Sequence, residues 1–279
     1  MGDRWLSKHQ ILMFHQYLVR EEKSMATVEK YLRDVHAFSS FLGVGSVTKE
    51  VVMAYKRWLQ EQGYAVRSIN SMLASLNGFF EFLGWRDCKV KAIRQQREMY
   101  LKEEKELTRG EYNRLLEAAK GNPQLELVML TICGTGIRVS ELRYFTIEEV
   151  PHGEIHVNCK GKCRTILIPG KLRKRLMDYA KRENIRSGPI FLNKNGHPLN
   201  RSRIWAQMKA LCGAAKVSPT KVFPHNLRKL FARTFYGIEK DIAKLADILG
   251  HSSIETTRIY IMTTGKEHRK QIEKMGLVT

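Results

Sequence analysis

The sequence predicts a mainly α-helical chain in two domains, with one small β-hairpin in the second. Three observations carry this expectation. Apolar residues recur at helical spacing over 1–84 and again from about 108 onward. The periodicity fades over 85–106. Between Glu154 and Ile168 the apolar period changes to two. A length of 279 residues suits one large domain or two modest ones.

Residues 1–84 read as four helices. Val28, Tyr31, Leu32, Val35, Phe38, Phe41 and Leu42 mark one apolar face, and Ile69, Met72, Leu73, Leu76, Phe79, Phe80 and Leu83 another. Gly43, Gly45 and Gly63 punctuate the breaks, and Thr48 suits an N-cap. Such stripes are core, and no chemistry is assigned to them. The stretch 85–106 is dense in charge and reads as an exposed basic linker, either a solvated connector or a strap on phosphates. The second domain, 107–279, opens with Thr108 and Glu111 at capping-box spacing. Helices are expected near 108–120 and 123–134. A hairpin follows, in which Ile155 and Val157 alternate before Lys160-Gly161-Lys162 and Ile166 and Ile168 alternate after it. Further helices are expected near 170–184, 200–215, 224–236, 239–249, 253–260 and 266–275, with Ser252 and Glu255 at capping-box spacing.

The charge balance points to the partner. There are 48 Lys+Arg against 28 Asp+Glu, a net +20. A surplus that large repels itself on a compact surface unless a polyanion neutralises it, which makes nucleic acid the first candidate and an anionic membrane surface the second. Residues 1–100 carry 15 basic and 10 acidic side chains, and residues 101–279 carry 33 and 18, so intimate phosphate contact is expected mainly in the second domain. No apolar run is long enough to cross a membrane, and the first residues lack the apolar core of a secretory signal. Five cysteines without paired spacing fit reduced thiols and a cytoplasmic protein.

Four segments have the residue types of phosphate chemistry. GTGIRVSEL places Arg138 just after a glycine-flanked turn, where a planar guanidinium can meet a phosphate, with Glu141 three residues on. NCKGKCR puts Lys160 and Lys162 at the hairpin tip. Cys159 and Cys163 lack a second Cys/His pair for a zinc site, and no metal is expected. PHNLRKLF spaces His225 and Arg228 to share a helix face, with Pro224 at the helix start. LGHSSIETTRIY places His251 in the joint after Gly250 and Tyr260 near the end of the next short helix. Each segment alone also fits ordinary surface or packing.

Together, the order Arg, Lys, His-x-x-Arg, His, Tyr resembles the catalytic set of the tyrosine recombinases, the integrase family, over nearly the whole chain. In length and two-domain layout the chain is most similar to the Xer-like branch. The resemblance implies a SAM-like helical core-binding domain (1–84) and a mixed α/β catalytic domain (107–279) forming a C-shaped clamp on DNA. It implies site-specific recombination through a 3′-phosphotyrosyl intermediate and a Holliday junction, as in integration, excision, inversion or resolution, without metal, ATP or other cofactor.

The roles it implies fit the chemistry. A phosphodiester must have the negative charge on its non-bridging oxygens held during in-line attack. Arg138 and Arg228 would hold it, His225 would be an acid/base group, and His251 would orient or donate to the phosphate. Tyr260 would be the nucleophile, its pKa of about 10 lowered by nearby cations. Lys160 would protonate the leaving 5′-oxygen, with Lys162 the fallback, and Glu141 would support the active-site arginine. Lys229 stands where many relatives carry a histidine. Lys162, Lys229, Arg67, Arg201 and Arg203 are candidate DNA contacts, the last three on helices.

The expected partners are double-stranded DNA with inverted-repeat core sites and further protomers: a homotetramer, or a pairing with a related recombinase, in the synaptic complex, from a free monomer. The protein would be cytoplasmic and nucleoid-associated on DNA. Ile272, Met275 and Leu277 form an apolar edge on a tail that would dock on a neighbour or fold back on its own domain. Two other readings are a catalytically silent DNA-binding architectural protein and a type IB topoisomerase-like enzyme that relaxes DNA without site preference.

Overall fold

A computed structural model describes residues 4–94, 106–159, 162–262, 269 and 272–275, with the backbone alone at 158, 159 and 162. The chain divides into two compact units, Met1–Arg97 and Glu98–Thr279.

The first unit is built from α1 (Lys8–Arg20), α2 (Met25–Leu42), α3 (Lys49–Glu61) and α4 (Val66–Phe82). Ser7 and Gln10 form a capping box on α1, and the Thr48 hydroxyl accepts from the Val51 amide at the start of α3. The apolar stripes meet in one core around Phe14, Phe38, Tyr55, Leu73, Leu76, Phe79 and Phe80. Within it, the buried Asp34 carboxylate accepts from the Ser75 hydroxyl at 2.8 Å and pairs with Lys30 at 2.7 Å.

The stretch read as an exposed linker departs from that reading over its first part. Arg86–Cys88 is a 3₁₀ turn, and Cys88 and Val90 are buried in the first core. Two asparagines on α4 fasten the segment by side-chain pairs that imitate a β-ladder. Asn77 exchanges hydrogen bonds with the Val90 backbone at 2.9 and 3.1 Å, and Asn70 with the Ile93 backbone at 3.0 and 2.7 Å. Amide side chains supply both donor and acceptor, so an extended strand is held with no periodic apolar signal of its own.

The second unit contains α5 (Arg109–Ala118), α6 (Pro123–Thr135), β1 (Glu154–Cys159), β2 (Lys162–Leu167), α7 (Gly170–Arg182), α8 (Arg201–Ala210), α9 (Cys212–Ala215), α10 (Pro224–Glu239), α11 (Ile242–Leu249) and α12 (Ile254–Ile261). The Thr108–Glu111 capping box opens α5 as expected. Helix α6 is apolar on nearly every side and packs against α7 and α10. Its buried Thr131 and Thr135 hydroxyls satisfy themselves on carbonyls four residues back. β1 and β2 pair antiparallel from Glu154↔Leu167 to Cys159↔Lys162. Ile155, Val157 and Ile166 face the core, as the period-two pattern requires.

A further sequence expectation changes. The short helix α12 is capped by Ser253, whose hydroxyl accepts from the Glu255 amide, and not by Ser252, because the turn at Gly250 ends one residue later than the capping-box spacing implies. Most of the helix expected at 266–275 lies outside the described residues. Within it, Ile272 and Met275 are exposed, and Leu277 is not described. No helix among the described residues is long and apolar enough to cross a membrane.

Candidate active site

Helix α6 ends at Gly136, which is left-handed (φ 66°) and pressed so close to Phe231 that a Cβ there would lie 2.4 Å from its ring. Only glycine meets both demands. The chain then places Arg138 as the cap of a 3₁₀ turn, Val139–Tyr144, rather than of an α-helix. Glu141 reaches back from this turn. Its buried carboxylate accepts the Arg138 backbone amide at 2.6 Å and the Arg138 guanidinium at 3.2 Å, and Arg138 also donates to the Gly250 carbonyl at 3.2 Å. Arg164 binds the same carboxylate from β2.

Pro224 fixes the first turn of α10, and His225 and Arg228 stand one turn apart on it. Arg228 is only 1% exposed. It donates to the carbonyls of Gly136 at 2.6 Å and Leu249 at 2.7 Å, and to His251 Nε2 at 2.9 Å. Its Nε has no hydrogen-bond partner among the described residues. A buried unmet donor costs about 1–3 kcal/mol, which an anionic oxygen would relieve.

Gly250, left-handed at φ 62°, ends α11 and lets the chain reverse into α12. His251 sits in this joint. A guanidinium can only donate, so His251 Nε2 accepts from Arg228 and the ring proton lies on Nδ1, which donates to Thr257 Oγ1 at 2.8 Å. Tyr260, on the last turn of α12, has its ring against both histidines. Its centroid is 4.9 Å from His251, with the planes 23° apart, and 5.2 Å from His225, tilted by 54°. Tyr260 packs beside Ala232, Leu245 and Leu249, so α10, α11 and α12 together fix its position.

The site is a concentration of positive charge. Burial, reinforced by Lys229, Arg228, Arg201 and Arg138, pushes the His225 pKa down to about 4. Burial, then Arg228, Arg138 and Arg164, pushes His251 down to about 3. Burial and the neighbouring Arg138 lower Arg228 to about 10, which leaves it charged at neutral pH. Both histidines are therefore neutral at pH 7. Beside Arg138, His225 and Arg228 opens a cleft of about 610 Å³, lined also by Arg201, Trp205 and Lys209 of α8.

The fold thus brings together Arg138, Glu141, His225, Arg228, His251 and Tyr260. Lys160 lies outside the described residues, and of Lys162 only the backbone in β2 is described. Lys229 is half-buried behind His225, and burial lowers its pKa. Arg201 lines the cleft, whereas Arg203 is exposed on α8 and does not. Arg67 is exposed in the first turn of α4, in the other unit. Sequence reading missed Arg164, Thr257 and Trp205. Arg164 had a legible signal: it falls in phase with Ile166 and Ile168 on the inward face of β2, where a charge must be paired. Among the described residues, no cluster of His, Cys, Asp or Glu is arranged to hold a metal ion.

Comparison with known proteins gives a consistent result. A family model described as the phage integrase family matches residues 105–267, and a phage integrase N-terminal SAM-like domain matches residues 11–87. The tyrosine recombinase XerA of Pyrococcus furiosus is 31% identical over 100% of this chain and 98% of its own length. A solved lambda integrase dimer bound to a COC′ core site superposes with a TM-score of 0.75 at 18% identity, covering 94% of this chain and 97% of that one. A lambda integrase tetramer bound to a Holliday junction superposes with a TM-score of 0.73 at 19% identity, covering 93% and 78%. At those identities the two structures show the shared fold.

Proposed function

The chain belongs to the phage integrase family, and from that premise we propose how its own residues carry out the reaction of a tyrosine-type site-specific recombinase, the cleavage and rejoining of DNA strands. The observation that carries the proposal is the Tyr260 ring packed against both His225 and His251, next to a buried arginine with an unmet donor.

The scissile phosphate of a duplex enters the cleft beside Arg138 and Arg228, whose guanidinium donors take its non-bridging oxygens. The Tyr260 oxygen attacks phosphorus in line. The P–O5′ bond breaks, the phosphate becomes a 3′-phosphotyrosyl ester, and the 5′-oxygen leaves as a hydroxyl. His225, neutral at pH 7, takes the tyrosine proton, and the negative charge arriving with the phosphate makes it a stronger base than it is in the empty site. His251 orients Arg228 through Nε2, with its own tautomer fixed by Thr257. Lys160 protonates the leaving oxygen, with Lys162 as the alternative. Rejoining reverses the steps with a 5′-hydroxyl from the partner strand. A second round resolves the Holliday junction.

In this reading residues 1–84, with the segment 85–93 packed on them, are the core-binding domain, the remainder up to 106 the connection and 107–279 the catalytic domain. Arg201, and less directly Arg67 and Arg203, contact DNA. Four protomers assemble on two core sites with inverted repeats, in keeping with the lambda integrase tetramer on a Holliday junction. The protein acts in the cytoplasm, on the nucleoid.

A selection tests this proposal. Wild type is offered nicked duplexes drawn from random sequence and from DNA flanking the gene, and covalent adducts are recovered after denaturation. Adducts converging on an inverted repeat are expected. Adducts without sequence convergence would favour the topoisomerase-like reading, and salt-sensitive binding with no adduct would favour the silent clamp.

A further inference from the structure

We propose that Arg164 is a positioning residue of the reaction, one that neutralises Glu141 so that Arg138 stays free for the phosphate while the joint carrying His251 is held in place. The inference rests on the recombinase reading above.

Three observations support it. Arg164 projects from the inward face of β2 and is 9% exposed, an expensive place for a charge unless it is specifically paired. It spans two elements: one terminal nitrogen donates to the Ile248 carbonyl at 2.6 Å, at the end of α11, and the other binds Glu141. Gly250 is complementary to it, since a Cβ at that position would lie 2.4 Å from Arg164 Cδ. Arg164 therefore ties three segments to one another: β2, the turn of Arg138 and Glu141, and the α11–α12 joint.

The electrostatic consequence is specific. Arg138 and Arg164 share one buried carboxylate, and beyond its backbone amide Arg138 holds it by a single 3.2 Å guanidinium contact while its side chain remains 45% exposed toward the cleft. With Arg164 replaced by a neutral side chain, the Arg138 guanidinium would be the one cation left to Glu141, whose second oxygen would keep only the Arg138 backbone amide. Arg138 would be drawn into a two-point fork with it and away from the phosphate. The site would also lose one of the guanidinium charges, Arg228, Arg138 and Arg164, that act on His251.

The test separates this role from simple folding. Adduct formation in a single turnover is measured on two nicked duplexes, one with the natural scissile phosphodiester and one with an uncharged methylphosphonate there. Wild type, Arg164→Gln and Arg164→Lys are compared, with melting temperature and DNA affinity measured alongside. The methylphosphonate lacks the negative charge that Arg138 serves. The proposal predicts that Arg164→Gln is slower by about 30-fold or more on the phosphodiester but within about 3-fold of wild type on the methylphosphonate, with affinity unchanged. Arg164→Lys keeps the charge but cannot make both bonds, and should fall between the two. If Arg164→Gln does not fold, the lysine variant carries the same comparison. An equal loss on both duplexes, or no loss on either, overturns the role of Arg164. No adduct from wild type on either duplex would instead overturn the recombinase reading on which it rests.

Discussion

Arg228 donates to His251 Nε2 at 2.9 Å, and this one contact fixes the protonation state of the histidine. A protonated imidazole would place a proton on Nε2 against a guanidinium that has no acceptor. The contact is thus made only with the neutral ring, and Thr257 receives the remaining proton on Nδ1.

A pH dependence follows. His251 is depressed from 6.5 to about 3, and His225 from 6.5 to about 4. The unfolded chain takes up these protons near pH 6.5 and the folded chain does so only well below it, so stability is fully present above about pH 6.5 and declines as pH falls toward 4. The melting temperature of the second unit should therefore drop across that window at constant salt. His251→Gln should flatten part of the slope. A slope unchanged by replacing both histidines would contradict the assignment.

Arg228→Lys should be nearly as damaging as Arg228→Ala. The guanidinium spans two backbone carbonyls and a ring nitrogen, and an ammonium on a flexible stem cannot reach all three. We expect adduct formation to fall by roughly a thousandfold and stability by about 2–4 kcal/mol, from orphaned carbonyls in a buried site. Single-turnover kinetics and denaturant melts measure the two effects.

Gly136→Ala should destabilise the second unit by about 1–3 kcal/mol, because the new Cβ meets both a left-handed backbone and the Phe231 ring. Combining it with Phe231→Leu should recover only the steric part. Full recovery would show that the backbone conformation carries no strain.

DNA affinity should fall steeply with salt, with a log–log slope of about −0.9 for each phosphate neutralised. Arg201→Ala should reduce that slope by about one, since Arg201 lines the same cleft as Arg138 and Arg228. Arg203→Ala, farther from the cleft lining, should change it less. Titrations at several salt concentrations give both values.

Much of this site was legible in the sequence. Arg138, His225, Arg228, His251 and Tyr260 stand in short segments that each fit ordinary surface or packing alone and are grouped by their joint resemblance to the tyrosine recombinase set, whereas the helices and hairpin follow from apolar period. What escaped is what depends on partners far away in the chain. Thr257 is a buried hydroxyl whose purpose appears only when α12 folds back over His251. Cys88 and Val90 are held by Asn77 and core packing rather than by any pattern of their own. Trp205 looks like an ordinary amphipathic-helix residue until it lines the same cleft as Arg138. Ser253 replaces Ser252 as a cap because a turn can end one residue late without any change in sequence signal.

The central claim is that Tyr260 is the nucleophile. The most direct measurement is to trap the adduct on a nicked duplex, digest protein and DNA, and locate the bound nucleotide by mass spectrometry, in parallel with Tyr260→Phe. The account predicts a 3′-phosphonucleotide on the peptide containing Tyr260, and no adduct from the phenylalanine variant despite undiminished DNA binding. A nucleotide on any other residue, or an adduct that survives in Tyr260→Phe, would contradict it.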